Sequence, residues 1–168
     1  MSDASSAPPF THLDGSGHAR MVDVTEKQPT VRAATAAGSV RCSPEVVALL
    51  RDGSVPKGDV LAVARVAGIQ AAKKTPELLP LAHVIGVHGC TVDLTITDEG
   101  VDIVATARTA DRTGVEMEAL TSVSVAALAV IDMVKGIDRT ARIERVRLLR
   151  KEGGRSGTWV AEDEGGAA

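Results

Sequence analysis

Four ionisable side chains lie in a segment, residues 113–135, that is otherwise rich in small and apolar residues. Glu116 and Glu118 come near its start, and Asp132 and Lys135 come near its end. Steps of three and four residues place Glu118, Asp132 and Lys135 on one side of an α-helix, so the segment predicts a long helix with polar groups at both ends of an apolar stripe. A carboxylate held beside an ammonium group is suited to proton transfer.

The same groups also have an ordinary interpretation. Asp132 and Lys135 would form a solvated ion pair near the helix end that contributes about 0.3 kcal/mol. Glu116 and Glu118 would interact favourably with the positive end of the helix dipole. The spacing within a single helix does not decide between a proton-transfer site and a solvated surface.

Other polar side chains stand where they could meet a substrate. His83 ends a proline-punctuated loop, although a lone histidine in such a place is often a hydrogen-bonded structural residue. Lys57 precedes a glycine at a predicted helix start, where free amides and an ammonium suit an anion such as phosphate, but the Walker pattern is absent. Further cations that could meet an anion, or simply form solvated faces, are Arg32, Lys73 and Arg155.

Length and composition narrow the class of protein. The chain has 168 residues and a formal net charge of -3, which fits one domain and does not favour a nucleic-acid partner. The first residues lack the charged and apolar regions of a signal peptide, and we expect no apolar run that could span a bilayer. Cys42 and Cys90 lack disulfide or metal spacing. We therefore expect a soluble, cytoplasmic protein without a membrane partner.

The hydrophobic core must be built from small side chains. Phe10 and Trp159 are the only aromatic residues in the sequence, so Val, Ile, Leu and Ala have to fill the interior. Such a core is thin for a chain of this length, and burial of surface between subunits would supplement it. We therefore expect a homo-oligomer.

Periodicity and turn residues predict helices interleaved with antiparallel strands. Ser43 and Asp59 are expected helix caps, Gly53 and Gly136 are expected helix ends, and a bulge is expected near Arg145. The predicted elements are a strand within 29–43, helices over 44–52 and 60–74, a hairpin of strands at 92–97 and 101–107, the helix at 113–135, and a strand at 141–151 followed by a flexible loop over 152–159.

The predicted fold class is α+β, with helices on one face of an antiparallel sheet in a ferredoxin-like sandwich. Residues 1–18 are rich in Ser, Ala, Pro and Gly and are predicted to be disordered. Residues 19–160 are predicted to form the single domain, and residues 161–168 a loose acidic tail.

Six longer motifs follow one another along the chain. They are MVDVTEK (21–27), PKGDVLAVARVAGIQAAKKT (56–75), LLPLAH (78–83), TGVEMEALTSVSVAAL (113–128), DMVK (132–135) and EGGRSGTW (152–159). In this order they resemble the cyclic pyranopterin monophosphate synthase family, the C protein of molybdenum cofactor biosynthesis. The resemblance extends from about Thr11 to Trp159, and several long motifs in register are more specific than one short pattern.

The resemblance implies an activity, an assembly and a set of site residues. The implied reaction converts 3′,8-cyclo-7,8-dihydroguanosine 5′-triphosphate, a small nucleotide-derived substrate, to cyclic pyranopterin monophosphate and pyrophosphate. The implied assembly is a hexamer, a trimer of dimers, with active sites between subunits. No resident cofactor is expected, and whether Mg²⁺ accompanies the triphosphate stays open.

The resemblance places the family's acid/base aspartate on Asp132, its paired lysine on Lys135 and a further catalytic lysine on Lys57. Its substrate-binding positions fall on Leu81, Ala82, His83, Met117, Glu118, Glu116, Lys73 and Arg32.

The sequence departs from the family pattern at a few positions. Ala82 stands where the family commonly has Cys, so a mechanism that needs a thiol there is excluded for this chain. Ile131 and Val134 replace a frequent Tyr and Cys. An alternative function is therefore a non-catalytic oligomeric paralogue that binds a nucleotide or a protein. Retention of the acid/base residues Asp132 and Lys135 favours the enzyme.

Overall fold

The structure, a computed structural model, describes Leu13 and residues 15–162. The predicted disorder of residues 1–18 falls mainly on positions outside this part of the chain, and so does most of the predicted loose tail. The elements are β1 (Thr30–Arg41), α1 (Pro44–Asp52), α2 (Val60–Lys73), α3 (Thr75–Leu78), β2 (Gly89–Ile96), β3 (Gly100–Asp111), α4 (Glu116–Val134), β4 (Arg142–Glu152) and β5 (Trp159–Val160).

The strands form one antiparallel sheet in the order β2-β3-β1-β4-β5. Helix α4 packs on β1, β3 and β4, and α2 packs beside it on β2. The side chains of β1 and β3 that face these helices are buried, and they alternate with less buried neighbours. The α+β ferredoxin-like prediction is therefore confirmed.

Small residues allow α2, α4 and the sheet to lie close together. A Cβ on Gly68 of α2 would lie 2.9 Å from the backbone oxygen of Ser122 in α4, and a Cβ on Gly38 of β1 would lie 2.8 Å from Cγ1 of Val123. Gly68 of α2 lies against Ser122 of α4, while Lys57, which precedes α2, contacts Asp132 near the end of α4. The two helices are therefore antiparallel. This arrangement brings the loop before α2 to the C-terminal end of α4.

The predicted helix caps and the bulge are present. The Ser43 hydroxyl accepts a hydrogen bond from the amide of Val46 at 3.4 Å, and the Asp59 carboxylate accepts one from Ala62 at 2.9 Å. Gly53 ends α1 in the left-handed conformation, with φ 65°. Arg145 also has a positive φ, 54°, where the β1–β4 register shifts. Local side-chain chemistry therefore predicted these element ends correctly.

Three element boundaries differ from the sequence prediction. Helix α4 begins at Glu116, three residues later than the predicted segment 113–135. After α2 the chain makes the short helix α3, with a proline in its first turn, whereas only a helix end was expected there. The predicted flexible loop over 152–159 ends in β5, where Trp159 pairs with Lys151. A two-residue edge strand is too short to leave a periodic pattern in the sequence.

The expectation that no apolar run could span a bilayer is wrong for α4. Among the residues that the structure describes, it is the one helix whose length and composition meet that test, with a mean hydropathy of 1.7. Half of the relevant window is buried inside the protein, against the sheet and α2. An apolar helix buried in this way is equally typical of the core of a globular domain.

Candidate functional site

The candidate site residues on α4 lie at its two ends. Glu116, Met117 and Glu118 form its first turn, and Asp132 lies in its last turn, just before Lys135. At about 1.5 Å per residue, Glu118 and Asp132 are separated by about 21 Å along the helix axis. Within one chain these two groups therefore cannot contact the same reacting atoms.

The Asp132 cluster, which consists of Lys57, Asp132 and Lys135, lies at the C-terminal end of α4. Lys135 Nζ is 2.7 Å from Asp132 Oδ1, and Lys57 Nζ is 3.5 Å from Asp132 Oδ2. Lys57 also donates a hydrogen bond to the backbone oxygen of Asp132 at 2.6 Å. Lys57 and Asp132 are 75 residues apart in the sequence, so the antiparallel packing of α2 on α4 is what joins them.

The two ammonium groups keep Asp132 ionised. The hydrogen bond and charge of Lys135, followed by the charge of Lys57, lower the pKa of the Asp132 carboxyl. The three side chains are 46–59% exposed, so a second molecule can reach them. An accessible carboxylate that stays ionised can accept a proton, and the neighbouring ammonium groups can hold an anion.

A cavity of about 540 Å³, here called the helix-entrance cavity, lies at the other end of α4. Part of its wall is formed by Val22, Val24, Lys27 and residues 113–114, together with Leu148 of β4. It brings together six of the residues that the resemblance places in the site. They are Leu81, Ala82, His83, Glu116, Met117 and Glu118.

Glu118 differs from the other acidic residues of the site because it is only 3% exposed. Burial raises the pKa of its carboxyl, the nearby charge of Glu116 adds to this, and His83 acts in the opposite direction. The helix-entrance cavity therefore holds a carboxyl that protonates more readily than usual, whereas the Asp132 carboxyl protonates less readily. Two carboxyl groups with opposite shifts can divide the roles of proton donor and proton acceptor.

His83 is held in place at the wall of this cavity. Its Nε2 lies 2.6 Å from the backbone oxygen of Val22. Because a carbonyl oxygen can only accept, Nε2 donates this bond and the other ring nitrogen is left for a different partner. The structural role and the site role that the sequence left open are thus compatible.

The remaining two candidates lie apart from both groups. Lys73 is exposed in the last turn of α2 and lines neither the helix-entrance cavity nor the cavity of Arg32. Burial raises the pKa of the Cys90 thiol, and the charge of Lys73 lowers it by a smaller amount. Arg32 lines a separate cavity of about 580 Å³ together with Arg155. Sequence reasoning missed Lys27, which lines both this cavity and the helix-entrance cavity. Its position in the MVDVTEK motif was the available signal.

A metal site is not evident in the described part of the chain. No three His, Cys, Asp or Glu side chains among these residues are grouped so that they could hold an ion. The chemistry that the described groups offer is proton transfer between carboxyl, imidazole and ammonium groups, together with binding of anions.

Comparison with known proteins adds independent findings. A profile of the MoaC family matches residues 21–154. A protein of Streptomyces avermitilis named cyclic pyranopterin monophosphate synthase is 59% identical over 150 residues, which cover 89% of this chain and 88% of the relative. One from Chloroflexus aurantiacus with the same name is 55% identical, covering 89% and 93%. A Mycobacterium tuberculosis relative, cyclic pyranopterin monophosphate synthase 2, is 56% identical, covering 90% of each chain.

Proposed function

This chain belongs to the MoaC family, and we propose that it is a lyase of molybdenum cofactor biosynthesis. It converts 3′,8-cyclo-7,8-dihydroguanosine 5′-triphosphate to cyclic pyranopterin monophosphate and pyrophosphate. The observation that carries the proposal is the Asp132 cluster, in which two ammonium groups hold one accessible carboxylate ionised. This arrangement supplies the base and the positive charge that the reaction requires.

The rearrangement of the guanine-derived rings needs several proton transfers at nitrogen and carbon. Asp132 can accept a proton because it is ionised and exposed, and its two cations, which lower its pKa and so make it a weaker base, hold it in place. Glu118 is suited to donate them, or to donate a hydrogen bond to a ring, because burial favours its protonated form. Closure of the cyclic phosphate forms a bond between a hydroxyl oxygen and the α-phosphorus. The bond to pyrophosphate breaks, a base takes the hydroxyl proton, and fixed cations stabilise the charge that develops.

We propose that each site is completed by a neighbouring subunit. The helix-entrance cavity and the Asp132 cluster are about 21 Å apart in one chain, yet Glu118 and Asp132 are equally distant in sequence from Val125. A two-fold axis beside Val125 would therefore place α4 of one subunit antiparallel to α4 of the next, with Asp132 of each facing Glu118 of the other. Met117 and Leu128, on the outer side of α4, are 43% and 55% exposed and are available for this packing.

The assembly, the compartment and the cofactor requirement extend the proposal. We propose a homohexamer built as a trimer of dimers, in the cytoplasm, acting on a small nucleotide-derived substrate without a nucleic-acid or membrane partner. We propose no resident cofactor, and any Mg²⁺ arrives bound to the triphosphate. The thin, small-residue core supports an assembly that buries further surface.

Turnover tests the proposed function directly. The purified full-length chain is incubated with the cyclic triphosphate, and the pterin product and pyrophosphate are measured. The proposal expects equal amounts of both. A folded oligomer that binds the substrate and releases neither product would instead support the binding paralogue.

The pH dependence of kcat/KM should change when the cations beside Asp132 are removed. Lys135 and Lys57 lower the pKa of the Asp132 carboxyl. Removing either cation therefore raises this pKa, so that a larger fraction of the carboxyl is protonated at a given pH. Activity that needs the carboxylate is then lost at a higher pH. We expect Lys135→Met to move the acidic limb of the profile upward, and Lys57→Met to move it less. Arg51→Gln, which removes a cation paired with Asp98, should leave the limb in place. An unmoved limb in Lys135→Met would contradict the role of Asp132 as a base.

A further inference from the structure

A buried carboxylate, that of Asp138, lies in the turn that follows the Asp132 cluster. Asp138 comes three residues after Lys135, and it is only 7% exposed. Burial of a charge costs free energy unless hydrogen bonds replace the water that the charge loses. The partners of this carboxylate therefore indicate what its burial achieves.

The two oxygens of Asp138 accept hydrogen bonds from two different parts of the chain. Oδ1 accepts from the amide and the hydroxyl of Thr140, at 2.8 Å and 2.6 Å. Oδ2 accepts from the backbone amide of Ser43 at 2.7 Å. These bonds, that of the Thr140 hydroxyl first, lower the pKa of the Asp138 carboxyl against the opposing effect of burial. Asp138 is therefore an ionised acceptor that joins the turn after α4 to the residue before α1.

The backbone of Asp138 is attached to the last turn of α4. Its amide donates to the carbonyl oxygen of Val134 at 3.0 Å, and the amide of Ile137 donates to the same oxygen at 2.8 Å. Val134 lies between Asp132 and Lys135 in the sequence. The Asp138 carboxylate is therefore fixed relative to the helix turn that carries Asp132.

Ser43 begins the segment of chain that brings Lys57 to Asp132. This segment runs from Ser43, the N-cap of α1, through α1 and into the loop before α2. Helix α1 packs on β2 and β3, but both ends of the segment contact the end of α4, since Ser43 bonds to Asp138 and Lys57 bonds to Asp132. The Lys57 side chain is 46% exposed, so its position depends on the backbone that carries it more than on packing around it.

We infer that Asp138 is a positioning residue that holds Lys57 against Asp132 by attaching the start of α1 to the end of α4. This inference rests on the proposed function and adds to it a residue outside the reacting groups. Loss of the bond between Asp138 and Ser43 lets the start of α1 move. The Lys57 ammonium then withdraws, and Asp132 loses part of the positive charge that keeps it ionised.

Asp138→Asn breaks this attachment selectively. One oxygen accepts both bonds from Thr140, so the asparagine oxygen can keep them, while the asparagine NH₂ group faces the Ser43 amide, which is also a donor. We expect kcat/KM to fall about tenfold, because misplacement of a group by about 1 Å can cost about 100-fold. In a Lys57→Met background the further loss should be less than about twofold, because both changes remove the same contact.

Ser43→Ala is the matched control. It removes the hydroxyl that caps α1 but keeps the amide that bonds to Asp138. The melting temperature should fall, while kcat/KM stays unchanged. Ser43→Pro deletes the amide donor as well, and the proline ring fits the φ of -64° at this position. This variant should therefore reproduce the loss of kcat/KM from the other side of the same bond.

The titration of Asp132 provides a measurement that needs no turnover. Among the described residues, the charged groups that face Asp132 are Lys135 and Lys57, and both lower its pKa. We expect Asp138→Asn to raise the pKa of Asp132 as much as Lys57→Met does, and Ser43→Ala to leave it unchanged. Carbon NMR of the protein labelled in its aspartate carboxyls, with Asp132→Asn to assign the signal, measures this pKa.

Equal losses of kcat/KM in Asp138→Asn and Ser43→Ala would overturn the inference, because Asp138 would then act on stability alone. An unchanged pKa of Asp132 in folded Asp138→Asn would overturn it as well, and so would failure of both Asp138→Asn and Ser43→Pro to fold. Turnover of the cyclic triphosphate by the unsubstituted protein separates the two proposals. Product formation with an unchanged pKa in the variant removes only the positioning role, whereas absence of product with a raised pKa removes only the proposed function.

Discussion

Replacing Asp132 by asparagine is expected to lower kcat by about 10³-fold, within the range of general acid–base catalysis. Asparagine has nearly the same shape but cannot accept a proton at neutral pH. Its amide would also weaken the attraction to Lys135, which lies 2.7 Å from the carboxylate. Because Asp132 is assigned to proton transfer rather than to binding, the Kd of the substrate should change by less than about threefold. Single-turnover kinetics and equilibrium binding measure the two quantities separately.

The matched control is Asp98→Asn, which removes an exposed carboxylate that pairs with Arg51 outside the site. This variant should keep the full kcat. Near-normal turnover in Asp132→Asn would show that another group accepts the proton. A loss in Kd as large as the loss in kcat would assign Asp132 to binding.

The parts of the fold that follow from local chemistry were predictable from the sequence. Ser43 and Asp59 each carry an oxygen that can accept a helix-terminal amide, and both act as caps. The alternation of apolar residues around 92–97 and 101–107 predicted the β2–β3 hairpin, since only one face of that sheet packs on helices. Each of these features depends on neighbours within a few residues.

The unequal environments of the site carboxyls were not predictable from spacing. Spacing assigns Glu116 and Glu118 the same ordinary interpretation, as acids at a helix N-terminus. In the structure Glu118 is buried, and it lines the helix-entrance cavity together with His83, Val22 and Val24. These residues are far from Glu118 in sequence, so the local sequence pattern around Glu118 does not predict its burial.

The contacts that join distant segments were also beyond reasoning from residue patterns alone. The attachment of Lys57 to Asp132 requires the antiparallel packing of α2 on α4. The cavity that Arg32 lines together with Arg155 requires that the loop after β4 folds back over Arg32 of β1. Motif resemblance identified most of these residues, but only the fold shows that they divide into groups about 21 Å apart along α4.

Each active site is proposed to combine the helix-entrance cavity of one subunit with the Asp132 cluster of another. Mixing two inactive variants, Asp132→Asn and Glu118→Gln, tests it most directly. After dissociation and reassembly of a one-to-one mixture, random pairing across a two-fold interface gives about one quarter of sites with both native residues. We therefore predict that activity recovers to about a quarter of that of the unsubstituted protein. If native mass spectrometry shows mixed oligomers and activity stays at the level of the separate variants, the claim of a shared site is wrong.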